Sequence, residues 1–398
     1  MTKQEEWLTE TREITTTGLD ENYNCIFYYT PKSNKTWYAV HGGSYISFDM
    51  SDRAAHPIKA SAPAATTVSA GDYRSGNLDY QDGLSLKTMP FSGVDKDEPL
   101  SGKDDIADLV ASPGVVFVDM SYDLKNKEMY GIYDDGLYRV DYNSDPMKVD
   151  KVGDIVDDKA NKLYPYGIAV DATGTMYLLL SGIPGTLYRV NEIDEDKKKV
   201  VAEPVGEEDG RVGRNVDAVT QNIAFDHSTG ELFWGANDYL RVIDTETAKS
   251  YICGDLGYKK GYQGYMKAMH CMSKLVKVTV KIADDHDSWG TVSVSNAGFG
   301  AGQFIAGQKA TITATPKDGY KFLYWTKGSS EDELEDASYT FKVTSNVTYW
   351  AHFKKIPQDE GVESIQSSEV SLQKVLIDGS LYIIRDGKVY NVTGNRVK

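Results

Sequence analysis

Between residues 115 and 244 the chain states one pattern three times. The copies are VVFVDMSYDLKNKEMYGIYDDGLYRVD (115–141), LYPYGIAVDATGTMYLLLSGIPGTLYRVN (163–191) and VTQNIAFDHSTGELFWGANDYLRVID (219–244). In each, an apolar run ends in Asp (Asp123, Asp171, Asp226) and a polar turn follows. An apolar pair comes next, Met129-Tyr130, Met176-Tyr177 or Leu232-Phe233, and a second turn leads to a closing L-Y-R-V or Y-L-R-V. Short apolar runs between turns are the grammar of antiparallel hairpins, and Asp135-Gly136 is a pair that accepts the positive φ of a tight one. A four-strand unit recurring at roughly 40–55 residues predicts propeller blades. One such sheet cannot bury both faces, whereas blades packed around an axis can. The expected fold class is therefore all-β: a small β-propeller of about five to six blades, then a β-module and a short β tail.

The rest of the chain is parsed against those three copies. Residues 1–20 are polar and read as a leader remnant or loose arm; the propeller is expected over 21–274. A weaker blade starts near Asn24, with CIFYYTPKSNKTWYAV, a His41-Gly42-Gly43 turn and SYISFDMS. Another starts near Thr67, with VSAGDYRSGNLDYQ. Residues 82–113, rich in Gly, Asp and Ser, give no clear strand assignment. Five blades are countable, with a sixth, or one assembled from both chain ends, left open. Residues 258–274 close the ring.

The period changes at Leu275. Strict alternation runs through G-T-V-S-V, T-I-T-A-T-P and F-L-Y-W to T-Y-W-A-H-F. Gly290, Val292, Gly307, Ala314, Pro316, Gly319, Tyr320, Phe322, Trp325 and Phe353 make 275–354 resemble the divergent InlB B-repeat family of bacterial surface proteins. The resemblance implies a small β-rich spacer or ligand-presenting module without catalysis, in which Tyr320, Phe322 and Trp325 are structural. Residues 355–368 form a polar linker. The tail, 369–398, carries turns at Asp378-Gly379, Asp386-Gly387 and Thr393-Gly394. Its G-x-L-Y-I-I-x-x-G-K-x-Y-N pattern resembles C-terminal segments of secreted Bacteroidetes proteins, including those sorted by type IX secretion. DMSYDLKNKEMYGIYDDGLYRVD resembles blades of uncharacterised secreted proteins of those bacteria, and YPYGIAVDATGTMYLLL resembles lactonase-like and NHL-type blades.

Composition narrows the function classes. Net charge is −16, and phosphate recognition needs a basic face, so nucleic acid is not an expected partner. No run of 18 apolar residues is present to form a membrane-spanning helix, and the N-terminus has no apolar signal-type segment. Three cysteines, Cys25, Cys253 and Cys271, make neither a disulfide framework nor a zinc pattern. Ring closure would nevertheless bring Cys25 near Cys253 or Cys271.

No catalytic motif stands out: there is no HExxH, GxSxG, phosphate loop or dinucleotide fingerprint, and no nucleophile–base pair is named by spacing. Asp284-Asp285-His286-Asp287 lacks the glycine-punctuated spacing of a calcium loop. Asp123, Asp171 and Asp226 are expected to accept turn amides, and Arg139, Arg189 and Arg241 to face solvent. No cofactor and no metal are expected. The residues placed before the innermost strands are Asp72, Tyr73, Asp119, Tyr164, Tyr166, Gln221 and Asn222. Tyrosines with amides and carboxylates suit a glycan or a protein surface. The chain thus reads as an extracellular or cell-surface binding protein that does not catalyse. A propeller hydrolase or lactonase with a channel metal, and a structural surface component, are the alternatives.

Overall fold

The structure is a computed structural model. It describes residues 14–19, 25–41, 44–50, 56–57, 67–92, 106–207, 210–213, 221–236, 239–254, 266–284, 286–295, 298–328, 333–357, 373–377, 380–385 and 387–397. All secondary structure among them is strand and turn. Two compact units emerge: Met1–Thr279 with Val294–Thr311 and Thr340–Val347, and Val280–Ser293 with Ile312–Tyr339 and Thr348–Lys398.

The first unit holds a five-bladed propeller. Strands β1 (Ile14–Leu19) and β2 (Cys25–Tyr29) pair as a separate hairpin, so part of the expected loose arm is a strand. The first blade contains β3 (Trp37–His41), β4 (Ser44–Phe48) and β5 (His56–Pro57). The second is β6 (Val68–Arg74), β7 (Asn77–Asp82), β8 (Ser85–Pro90) and β9 (Ala107–Val110). The third is β10 (Asp119–Asp123), β11 (Glu128–Tyr133), β12 (Gly136–Asp141) and β13 (Lys148–Val156). The fourth is β14 (Pro165–Val170), β15 (Met176–Leu180), β16 (Thr186–Asp194) and β17 (Lys199–Pro204). The fifth is β18 (Ile223–Asp226), β19 (Glu231–Gly235), β20 (Leu240–Ile243) and β21 (Ser250–Gly254). Strand β22 (Lys267–Cys271) then joins the first blade beside β3, in the order β22-β3-β4-β5. That blade is assembled from both ends of the propeller segment, and this closes the ring.

Closure is visible in the packing. Among the described residues, one apolar cluster lies between each pair of adjacent blades. Trp37, Phe48 and Phe233 join the first blade to the fifth, with Trp37 and Phe233 ring centroids 4.5 Å apart. Val40, Tyr80 and Met89 join the first to the second. Phe117, Met120 and Leu86 join the second to the third. Ile132, Ile168 and Leu178 join the third to the fourth, and Leu179, Ile223 and Trp234 the fourth to the fifth. Alternation along each strand puts one set of apolar residues on each blade face, and every face finds a partner only when the ring is complete. The innermost strands approach so closely that a Cβ on Gly71 would lie 2.8 Å from Tyr80 Cβ and 3.2 Å from Ala268 Cβ.

One feature is not implied by the repeat. The outer strands β13 and β17 pair in parallel, Asp154 with Lys199 through Val156 with Val201. The third and fourth blades thereby share a single eight-stranded sheet.

The strands after the propeller are β23 (Leu275–Ile282), β24 (Gly290–Val294), β25 (Gln303–Ile305), β26 (Lys309–Pro316), β27 (Tyr320–Lys327), β28 (Glu333–Leu334), β29 (Ser338–Lys342) and β30 (Val347–Lys355). They form sheets ordered β25-β23-β30-β27-β28 and β24-β26-β29. The tail is a three-stranded meander of β31 (Gln373–Ile377), β32 (Ser380–Arg385) and β33 (Lys388–Asn391). Gly387 and Gly394 take positive φ at its turns. Most of the expected linker, and the Asp378-Gly379 turn, lie outside the described residues. Cys253 and Cys271 are buried, and burial pushes the Cys271 thiol well up. The Cys25 side chain lies outside the described residues.

Candidate functional site

The five innermost strands, β6, β10, β14, β18 and β22, neighbour one another in a ring and run the same way. Their direction shows in the bonds between blades. Ile168 N donates to Asp119 Oδ2 at 2.8 Å, and two residues further on Val170 N donates to Ser121 Oγ at 3.0 Å. Tyr122 N donates to Asp72 Oδ2 at 2.7 Å, and Ser69 Oγ donates to Phe117 O at 2.9 Å. Strand starts therefore gather at one end of the propeller and strand ends at the other.

At the starts, Asp119 is fully buried and acts as a knot rather than an open ligand. Its Oδ1 accepts from Met120 N at 2.9 Å and from Asn222 Nδ2; its Oδ2 accepts from Ile168 N and, at 3.4 Å, from Ile223 N. One side chain thus ties β10 to β14 and β18. Gly167 makes room, since a Cβ there would lie 3.1 Å from Ile223 Cγ1 and 3.6 Å from Asp119 Oδ2. Burial pushes the Asp119 carboxyl well above its ordinary range, against the four donors that favour the charged form. Gln221 is also buried, its Oε1 accepting from Trp234 Nε1 at 2.8 Å. Asp119, Gln221 and Asn222 are brought together, yet none is open to solvent.

Tyr164 and Tyr166 belong to the same end; Tyr164 is exposed and Tyr166 partly so. With Tyr133, Asp134, Val118 and Pro165 they surround a depression of about 360 Å³. Tyr164 is 48% exposed and Tyr133 44%. Tyr133 ends β11 and Asp134 sits in the following turn at φ 53°, so both are fixed by a hairpin. Tyr133 and Asp134 escape sequence reasoning because they belong to a turn and not to an inner strand.

Asp72 and Tyr73 lie elsewhere. They are the fifth and sixth residues of β6, near its end, and so at the opposite end of the ring. The expected set of seven is therefore divided between the two ends. Tyr73 borders a cavity of about 800 Å³ with Lys35, Phe91, Met272, Ser273 and Lys274. Asp72 is buried, accepting from Tyr73 N at 2.7 Å and Tyr122 N at 2.7 Å. Burial, aided by the Asp79 carboxylate, outweighs those bonds and raises its pKa to about 7.

A raised acid pKa has a definite sign in stability. Folded protein keeps the Asp72 proton where unfolded chain has lost it, so this contribution is complete below the unfolded value and is lost as pH rises through about 7. The wild type is expected to resist urea better at pH 5 than at pH 8, and Asp72→Asn to shrink that difference. Equal pH dependence in both proteins would contradict the assignment.

Asp123, Asp171 and Asp226 end inner strands and accept from the turns that follow. Asp123 Oδ1 takes Lys125 N and Asn126 N, each at 2.9 Å; Asp171 Oδ1 takes Thr173 N at 2.7 Å and Thr175 N at 2.9 Å. Asp226 Oδ1 takes Ser228 N at 2.9 Å. Arg139 and Arg189 bridge to Glu195 (2.9 Å) and Glu203 (2.6 Å) at the surface, whereas Arg241 is buried, with Nη1 3.4 Å from Ser250 Oγ. The solvent-facing expectation for the three arginines fails at Arg241, which is buried on β20 opposite Ile252 of β21.

Beyond the turns, at the strand-end side, His227 Nδ1 lies 2.7 Å from Ser273 Oγ, and His227 Nε2 lies 2.9 Å from Val170 O. No spacing in the sequence announces this pair. Among the described residues no group of three or more His, Cys, Asp or Glu is placed to hold a metal ion.

No curated protein matches this chain. Among solved structures it is similar to a chain of the nidogen/laminin complex, with TM-score 0.33, 8% identity, and coverage of 60% of this chain and 98% of that one. It is similar to a gluconolactonase from Xanthomonas campestris, at TM-score 0.34, 9% identity, and coverage of 62% and 86%. It is also similar to PorZ, a surface component of the type IX secretion system of Porphyromonas gingivalis, at TM-score 0.31, 14% identity, and coverage of 92% and 50%. With every score below 0.5, the propeller assignment stands on the strand order and the five inter-blade cores. Residues 279–357 match the family model of the divergent InlB B-repeat domain, in line with the resemblance read over 275–354.

Proposed function

We propose that this chain is a secreted or cell-surface binding protein that grips a glycan at the strand-start end of its propeller. The observation that carries it is the depression bounded by Tyr133, Asp134, Tyr164 and Tyr166, with two of its tyrosines nearly half exposed. A tyrosine face offers an apolar body to the C–H surface of a sugar ring, and its hydroxyl a polar handle. Asp134 supplies a carboxylate acceptor for sugar hydroxyls. The β11–β12 hairpin holds Tyr133 and Asp134, and β14 holds Tyr166, so little ordering is lost on binding. Asp119, Gln221 and Asn222 serve this site as its buried support, not as contacts.

In this proposal 21–274 is the recognition domain, 275–354 the spacer, 355–368 a linker and 369–398 an export-related tail of Bacteroidetes type. The B-repeat match supports the surface location. A glycan array probed with the wild type should return a defined set of ligands. Replacing Tyr133, Tyr164 and Tyr166 together by Ala should lower affinity at least about tenfold, in keeping with aromatic anchors dominating recognition, while the thermal midpoint holds. Binding retained by the variant would refute the site. Signal on a protein array alone would replace the glycan by a protein partner.

A further inference from the structure

The other end of the ring holds chemistry that binding at Tyr164 does not use. Three successive blades contribute one group each. Val170 ends β14, His227 follows β18, and Ser273 follows β22. Parallel inner strands bring these strand ends level, so residues 46 positions apart meet: Ser273 Oγ and His227 Nδ1 are 2.7 Å apart. The Val170 carbonyl, 2.9 Å from Nε2, can only accept, so Nε2 carries the ring proton. Burial lowers the His227 pKa and keeps the ring neutral. Nδ1 is then left as a base with a free lone pair, and the serine hydroxyl donates to it. A nucleophile within hydrogen-bond reach of a base, with the base held by a third group, is the signature of an activated hydroxyl.

Ser273 also borders the cavity of about 800 Å³. Its walls join apolar side chains, Tyr73, Phe91 and Met272, to two lysines, Lys274 and Lys35, the latter with its Nζ donating to Ala306 O at 3.2 Å. Among the described residues no Asp or Glu lines it, although the chain as a whole carries 59 acidic residues against 43 basic ones. This local reversal of sign selects an anionic group on an apolar body.

We propose that Ser273, with His227 as its base, accepts acyl groups from small esters that carry a carboxylate and an apolar body. Ser273 Oγ bonds to the ester carbonyl carbon as its proton passes to His227 Nδ1. The ester C–O bond breaks, and the departing alkoxide takes that proton. Water then attacks the acyl-serine, gives its proton to Nδ1, and Ser273 leaves as the hydroxyl. While His227 is charged, Nε2–H remains on the Val170 carbonyl, and the neighbouring Asp226, Asp171 and Asp123 carboxylates favour the charge.

The test is on the full chain. A fluorophosphonate probe is incubated with folded wild type, and the labelled peptide is located by mass spectrometry. The label is expected on Ser273, absent from Ser273→Ala, and at least tenfold slower to form in His227→Gln. Hydrolysis of 4-nitrophenyl hydrogen glutarate should exceed that of 4-nitrophenyl butyrate at least tenfold, with Lys274→Met removing the preference. A wild type that leaves Ser273 unlabelled overturns the proposal whether or not the variants fold. So does labelling that proceeds equally fast in a folded His227→Gln protein. Neither result depends on the tyrosine depression, which sits at the opposite end.

Discussion

Asp119→Ala is expected to remove about 3–5 kcal/mol from the stability of the propeller, which is a large part of what a domain possesses. The side chain is fully buried and accepts from Met120 N, Ile168 N and Asn222 Nδ2, with Ile223 N at a longer 3.4 Å. Truncation strands those donors in the interior, and each unsatisfied buried group costs about 1–3 kcal/mol. Water entering the vacated space recovers part of this, which keeps the total below the plain sum. The damage is not local to one blade, because the bonds join β10 to β14 and β18. Asp119→Asn preserves the shape but turns one acceptor into a donor that faces other donors; its expected loss is smaller, about 1–3 kcal/mol. Urea unfolding followed by circular dichroism separates the two. A loss below about 1 kcal/mol for the Ala variant would show that Asp119 is not the knot described.

What the sequence revealed of this arrangement follows from how local each feature is. Asp123, Asp171 and Asp226 repeat because each answers the amides of its own turn two to four residues ahead, so their blade phase can be read directly. The second blade has no such turn after its inner strand. Without that marker the phase of VSAGDYR is open, and Asp72-Tyr73 are easily set beside Asp119. In the fold Asp72 is level with Tyr122, three residues further along, and so at the other end. Ring closure is similarly hidden. Strand β22 pairs with β3, Cys271 with Trp37 and His270 with Tyr38, across more than half the chain, and nothing in Lys267–Cys271 repeats the blade pattern. The meeting of His227 with Ser273 depends on that closure, since Ser273 takes its place only once β22 lies beside β18. Turn chemistry is written in neighbouring residues; contacts between blades are written in none.

Trp325→Ala is the second large effect, and it concerns the unit made of Val280–Ser293, Ile312–Tyr339 and Thr348–Lys398. Trp325 is fully buried on β27, opposite Ala351 of β30 and Leu334 of β28. Phe322 stands beside it, with ring centroids 5.7 Å apart, and Phe322 in turn meets Phe353 edge-on at 5.9 Å. Among the described large side chains of this unit Trp325 is fully buried while most others are partly exposed, and loss of a buried aromatic costs about 3–5 kcal/mol. Among the described residues the indole N–H finds no hydrogen-bond partner, so there the native state carries the penalty of one buried donor. Removing the indole relieves that penalty, which places Trp325→Ala toward the lower part of the range. Trp325→Phe, which keeps most of the ring and discards the N–H, is expected to cost clearly less. Hydrogen exchange read peptide by peptide gives the location as well as the size. Amides of β27 and β30 should exchange on the order of 10²–10³ times faster in the Ala variant, since each factor of ten corresponds to about 1.4 kcal/mol. Amides of β10 and β14 in the propeller should keep their wild-type rates. Equal acceleration in the propeller would mean that the two units unfold together, and unchanged exchange in β27 would mean that Trp325 is not the keystone of its own.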